Sequence, residues 1–182
     1  MKRIGLLLCG VMLLAASRFV LSDEPAKPTA PAAQPAPASE PEPKKELFKG
    51  KVVFAVDALK EKGFRPAEEM KGQVVLQTES GDLIPILADW RGRAFFQDER
   101  LRNRPVELVG YRKPGIPYLQ ILMVFTFNEA GEREYTDYWC DVCSIPMYEI
   151  KACECCQGDI RLRFQKQDLP EYLKIDASPK KP

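Results

Sequence analysis

Tyr118-Leu119-Gln120-Ile121-Leu122-Met123-Val124-Phe125-Thr126-Phe127 is apolar at all but two of its ten positions and is bounded by Pro117 and Asn128. A bilayer needs about 20 apolar residues in a helix, so this run is too short to span one. Its β-branched and aromatic content and its turn-residue borders predict the central strand of a core. Upstream, Val106 to Tyr111 is a second β-rich run, joined to the first through Lys113-Pro114-Gly115-Ile116-Pro117. Downstream, Asn128 to Gly131 turns the chain into Arg133–Trp139.

The same pattern continues outward in both directions. Val52, Val53, Phe54 and Val56 follow Gly50 as a strand, and Asp57 to Lys62 offers a turn or two of helix that Gly63 ends. Val74–Thr78 and Leu83–Leu87 flank Glu79-Ser80-Gly81-Asp82 as a hairpin, and Pro85 places the second arm at an edge or bulge because it cannot donate to a ladder. Arg93 to Gln97 reads as a further strand, on which only one of Phe95 and Phe96 can face inward. Asp159 to Gln165 sets Ile160, Leu162 and Phe164 against Asp159, Arg161 and Arg163, which predicts one buried and one wet face. No helix of three turns is required anywhere. Roughly seven short strands between Gly and Pro turns predict an all-β domain, a small closed or partly open barrel with a C-terminal cysteine-knuckle hairpin.

Gly50-Lys51-Val52-Val53, then Gly81-Asp82-Leu83, then Arg104 to Tyr111, then Tyr118-Leu119-Gln120-Ile121 resemble the strand rhythm of small OB-fold barrels. The resemblance extends from about Leu47 to Phe127. It implies an OB-like barrel and says nothing about a ligand.

Of the 182 residues, 46–175 are expected to form this domain, a normal size for one core. Lys2 and Arg3 precede an apolar run from Ile4 to Ala16, so residues 1–22 read as an export signal cleaved after Ser22, with Ser17 as the alternative. Leu8 before Cys9 departs from the small residue that lipid-attachment signals resemble one another in having, and Arg18 disfavours an uncleaved anchor. A membrane is therefore expected to be touched only through an uncleaved signal. Pro25 to Pro43 holds seven prolines and six alanines, so residues 23–45 read as a disordered, extended linker, and residues 176–182 as a disordered tail. The expected location is periplasmic or secreted.

Charge and composition exclude several functions. Removing Lys2, Arg3 and Arg18 takes the whole-chain net charge of +1 to −2, which disfavours nucleic acid as a partner. The chain has no histidine, which excludes Ser-His-Asp and Cys-His nucleophile systems, HExxH sites and any His-ligated zinc. A non-enzymatic role is expected.

Five cysteines, Cys140, Cys143, Cys153, Cys155 and Cys156, fall within seventeen residues. Cys140-Asp141-Val142-Cys143 is one CxxC, and Cys153-Glu154-Cys155-Cys156 contains a second, with nine residues between the two. Two such turns on adjacent arms can complete a tetrahedron of sulfurs at about 2.3 Å from a zinc ion. The pattern resembles a zinc-ribbon or rubredoxin-like arrangement, with Cys140, Cys143, Cys153 and Cys156 as ligands and Cys155 as a substitute or spare thiol. It departs from that pattern in lacking a Gly directly after each second cysteine. Copper, as Cu(I) on clustered thiolates, ranks below zinc.

Two other chemistries compete with metal binding. Four thiols could pair as two disulfides in an oxidising compartment, although the fifth would be left over. Trp139-Cys140-Asp141-Val142-Cys143 is similar to the WCxxC of thioredoxin-like proteins, but the 39 residues after Cys143 cannot hold the rest of that fold. Thiol exchange would therefore act from a β scaffold.

Arg93, Arg100, Arg102 and Arg104 belong to a locally basic stretch with Phe95, Phe96 and Tyr111 nearby. It is a candidate face for a protein or cell-envelope partner, such as a polysaccharide. Asp82, Asp89 and Asp98 read as turn carboxylates in preference to a glycosidase pair, and Trp90 and Trp139 as half-buried aromatics at strand ends.

Overall fold

The computed structural model describes residues 42–176. The expected signal, the linker up to residue 41 and the tail beyond Asp176 lie outside them. The described chain runs through β1 (Glu46–Phe54), α1 (Ala55–Glu61), β2 (Val74–Thr78), β3 (Leu83–Pro85), α2 (Arg93–Gln97), β4 (Pro105–Tyr111), β5 (Gln120–Phe127), β6 (Arg133–Cys140), β7 (Ile145–Met147), β8 (Arg161–Lys166) and α3 (Glu171–Asp176). Short 3-10 turns occupy Glu68–Met70 and Glu99–Leu101.

The strands form one antiparallel sheet in the order β3-β2-β1-β4-β5-β6-β7, with β8 paired to β6. β1 changes neighbours along its length. Its first half, Glu46 to Lys51, pairs with β4, and its second half, Gly50 to Phe54, pairs with β2. Gly50 sits where the two ladders overlap, and a Cβ there would meet the Gln77 carbonyl oxygen at 2.1 Å. Only glycine allows β1 to approach β2 so closely while bending away from β4. Gly110 plays the same part at the register shift between β4 and β5, where a Cβ would lie 2.3 Å from the Gln120 carbonyl oxygen.

These bends curl β1 to β5 into a partly open barrel. Its two ends meet at one isolated parallel bridge, Ile86 with Leu119, held by Leu87 N–H to Leu119 O at 2.9 Å and Leu119 N–H to Pro85 O at 2.8 Å. The all-β, partly open barrel expected from the sequence is thus present, and Pro85 lies on the edge strand as its missing donor requires.

The barrel interior is filled by Val52, Leu76, Ile86, Phe95, Leu108 and Ile121, all essentially inaccessible to water. Each such side chain contributes on the order of 1.5–3 kcal/mol by burial. A smaller cluster of Val53, Ala55, Ala58 and Val75 lies beneath α1.

Three local expectations are corrected. Arg93–Gln97 is the short helix α2 rather than a strand, which brings both aromatics to the core: Phe95 is fully buried and Phe96 packs partly against the same cluster. A strand would have sent them to opposite faces. Second, Ile145–Met147 forms an eighth strand inside the cysteine loop. Third, β8 does not divide cleanly into dry and wet faces. Ile160 and Leu162 pack on the core, but Phe164 is exposed, while the Arg163 side chain is mostly covered because it stacks on Trp139 and pairs with buried Asp137.

Candidate metal centre

β6 ends at Cys140, so the sheet itself positions the first sulfur. Beyond it the chain folds into a tight turn in which Ser144 N–H donates to Cys140 O at 2.8 Å and Cys143 N–H donates to the Cys140 sulfur at 3.4 Å. The second turn repeats the construction. Gln157 N–H donates to Cys153 O at 2.9 Å, and the N–H groups of Cys156 and Cys155 point at the Cys153 sulfur. Ser144 and Gln157, the residues after each second cysteine, have φ of 54° and 58°. They stand in the left-handed conformation that glycine adopts without strain, so each turn keeps its knuckle shape despite lacking the glycine. Gly158 makes room instead beside the Cys156 sulfur, which a Cβ there would approach to 3.3 Å.

The sulfurs of Cys140, Cys143, Cys153 and Cys156 all lie within 4.8 Å of one another, with Cys140 and Cys156 3.5 Å apart. A tetrahedron with metal–sulfur bonds of about 2.3 Å has edges of about 3.8 Å, whereas a disulfide needs about 2.05 Å. The five described cysteines are free. Four cysteines are therefore placed to coordinate a metal ion. Cys140 and Cys153 are buried, Cys143 is half-buried and Cys156 is exposed.

Electrostatics favour a cation here. Donation by the Cys156 and Cys155 N–H groups draws the Cys153 thiol down to about 7. At Cys140 the Cys143 N–H acts in the same direction, yet burial and the neighbouring Cys153 and Cys156 thiols outweigh it and the thiol titrates above its usual range. Cys143 is pushed well up, first by its contact with Cys155, then by Cys156 and burial. Four sulfurs this close resist becoming four anions unless a positive ion sits among them.

The surrounding elements hold both turns in place. Arg161 of β8 grips Asp141 of the first turn through two hydrogen bonds of 2.8 and 2.9 Å. The segment leading to the second turn docks on α2. Arg93 pairs with Glu149 at 2.6 Å, Lys151 bridges Glu149 and Glu154, and Ile150 N–H donates to Gln97 Oε1 at 2.9 Å. Beside them Arg91 stacks on the Tyr148 ring at 3.5 Å, and Trp90 meets that ring edge-on. Of these supports the sequence marks Arg93 and Trp90, each for another purpose, and Arg161 only as a wet-face residue of its strand. The signal for Asp141 was its charge alone.

The four arginines expected to face a partner make contacts within the domain. Arg93 serves the cysteine loop, and Arg100 pairs with Asp98 at 2.7 Å. Arg102 donates to Phe95 O at 2.7 Å and stacks on Phe54, and Arg104 donates to Phe127 O at 2.7 Å. Of the three carboxylates, Asp82 and Asp89 lie in turns, where Asp89 accepts the Gly92 N–H at 2.8 Å. Asp98 is buried, accepting from Arg100 and from the Tyr138 hydroxyl at 2.7 Å. Trp90 is exposed in a loop rather than half-buried at a strand end, whereas Trp139 lies within β6 under Arg163.

No family model matches the chain, and comparison with curated proteins and with solved structures finds no similar protein.

Proposed function

We propose that this chain is an exported, tethered binding module whose C-terminal strands are locked by a structural zinc ion held by Cys140, Cys143, Cys153 and Cys156. The observation that carries the proposal is the convergence of those four sulfurs within 4.8 Å. An all-sulfur set of four leaves no open position for substrate, which suits a structural ion better than a catalytic one. Two matching knuckles with N–H donors on their first sulfurs support thiolate ligation, and apparent zinc free energies of about 10–16 kcal/mol would far outweigh the strain at Ser144 and Gln157. Export, with a signal at 1–22 and a Pro/Ala-rich spacer, is supported by the charged-then-apolar start and the proline content of that segment.

Elemental analysis with thiol titration, on protein recovered from its native compartment, tests the centre. One zinc per chain with four masked thiols is the expected outcome. Two disulfides and no metal would overturn it. Fractionation of cells expressing the full chain tests the address: a shortened product outside the cytoplasm is expected, and a full-length cytoplasmic one would refute export.

A further inference from the structure

The loop between β4 and β5, Arg112 to Tyr118, is exposed at all seven positions, with Ile116 48% and Tyr118 40% accessible. Its shape is fixed locally. Pro114 and Gly115, the latter at φ 74°, make a tight turn that Ile116 N–H closes by donating to Lys113 O at 3.0 Å, and Pro117 stiffens the exit. Ile116 is thereby held out in solvent. Leu119 points into the barrel, so Tyr118 before it points out, and the bond from Leu87 N–H to Leu119 O brings the exposed Leu87 beside it.

Within the loop, charge has one sign. No acid lies between Glu107 and Glu129 in the sequence. Arg93, Arg100, Arg102 and Arg104 are all bonded inside the domain, whereas Arg112 and Lys113 have no ion-pair partner among the described residues. With Pro114, Gly115 and Ile116 they line an open recess of about 320 Å³. Lys45, exposed as well, enters close by, because the next residue, Glu46, pairs with Gly110 at the end of β4.

We propose that this loop is a membrane-docking site, seating Ile116 and Tyr118 at the headgroup boundary of an anionic phospholipid bilayer while Arg112 and Lys113 face lipid phosphates. A surface that lays phosphates over hydrocarbon matches each part of the loop: a branched apolar tip, a tyrosine whose ring and hydroxyl suit such a boundary, two unpaired cations, and no acid to be repelled. The preformed turn helps, since little order is lost on contact. Two cations and a few apolar groups make a reversible, salt-sensitive hold. It stands whether or not the cysteine cage binds metal, so the two can fail separately.

Acetylation of the full chain by acetic anhydride, mapped by mass spectrometry, reads the loop through Lys113. Lys166 is the control, because it pairs with Glu134 next to the β5–β6 turn, at the opposite end of β5. Vesicles of phosphatidylglycerol and phosphatidylcholine in equal parts are expected to slow acetylation of Lys113 at least about threefold and to leave Lys166 unchanged, and phosphatidylcholine alone to slow neither. The double variant Ile116→Ser, Tyr118→Ser is expected to melt at the wild-type temperature and to lose the protection, and Arg112→Gln, which removes no apolar group from the tip, to weaken it. Equal Lys113 rates with and without the anionic vesicles would overturn the docking site. So would the same protection from inorganic phosphate at matching phosphorus concentration, or wild-type protection in both variants.

Discussion

Ser144 and Gln157 occupy the same place in two turns of the same design, each after the second cysteine, each at positive φ, each donating its N–H back to the first cysteine's carbonyl. A side chain in that conformation costs about 1 kcal/mol relative to glycine, offset in part by glycine's greater freedom in the unfolded chain. Ser144→Gly and Gln157→Gly are therefore each expected to raise stability by about 0.5–1 kcal/mol, read as an upward shift in the urea midpoint at unchanged slope. The four ligands are not equivalent. Cys140 and Cys153 are buried, so Cys140→Ser and Cys153→Ser place an ill-partnered hydroxyl inside the domain as well as removing a ligand, and both are expected to lose the metal and to lower the melting temperature of the metal-free chain. Cys156→Ser, at the exposed side, is expected to lose metal with little change in the melting temperature of the metal-free chain. Equal metal-free melting temperatures for all three would refute the difference.

At the scale of elements, β8 carries two arginine–aspartate pairs of unlike worth. Arg163 and Asp137 are 2.6 Å apart with side chains 15% and 1% exposed, while Arg161 and Asp141 are 2.8 Å apart at 57% and 62%. Arg163→Met strands a buried carboxylate and is expected to cost about 3–5 kcal/mol. Arg161→Met breaks a screened surface pair and is expected to cost far less. Urea unfolding of the two variants checks the order, and the reverse order would contradict it. Near-equality in sequence is the reason this contrast was not legible: both arginines fall on the supposed wet face of an alternating strand, and only the fold places Trp139 and Asp137 beneath one of them. α2 was misread for a related reason. Arg93-Ala94-Phe95-Phe96-Gln97 has β-favouring aromatics and no helix signal of its own, but the turn that Asp89 closes on the Gly92 N–H leads into it and Asp98 N–H donates back to Ala94 O at 2.8 Å. β7 escaped notice because three residues, one of them proline, make no periodic pattern.

For the whole molecule, buried acids and a buried phenol set the pH range of stability. Burial alone would raise the carboxyls of Asp98 and Glu107, but Arg100 and Tyr138 around the first, and Arg133 and Lys49 around the second, hold them below the ordinary 3.8 and 4.5. Their stabilisation is complete above the unfolded values and is lost as pH falls through the lower folded ones. Burial first, and then its bond to Asp98, pushes the Tyr138 hydroxyl far up. Its contribution is present below the unfolded value of 10.0 and declines as pH rises past it. Denaturant midpoints of the metal-free chain are accordingly expected to fall as pH drops below about 4 and as it rises past about 10. A flat profile from pH 3 to 11 would refute these assignments.

The barrel was largely legible in the sequence because strand runs and Gly or Pro turns are local signals. The metal-ligand set was legible because a CxxC confines its sulfurs whatever the surroundings. What holds that set in place was not, since Arg161, Arg93 and Gln97 come from elements remote in sequence and are recognisable only by proximity.

β1 is laddered on both flanks, and its outer end, Glu46, is where the domain joins the preceding chain. Ladder hydrogen bonds run across the strands. A pull on the residues before Glu46, directed along β1, shears many of them together instead of peeling them one at a time.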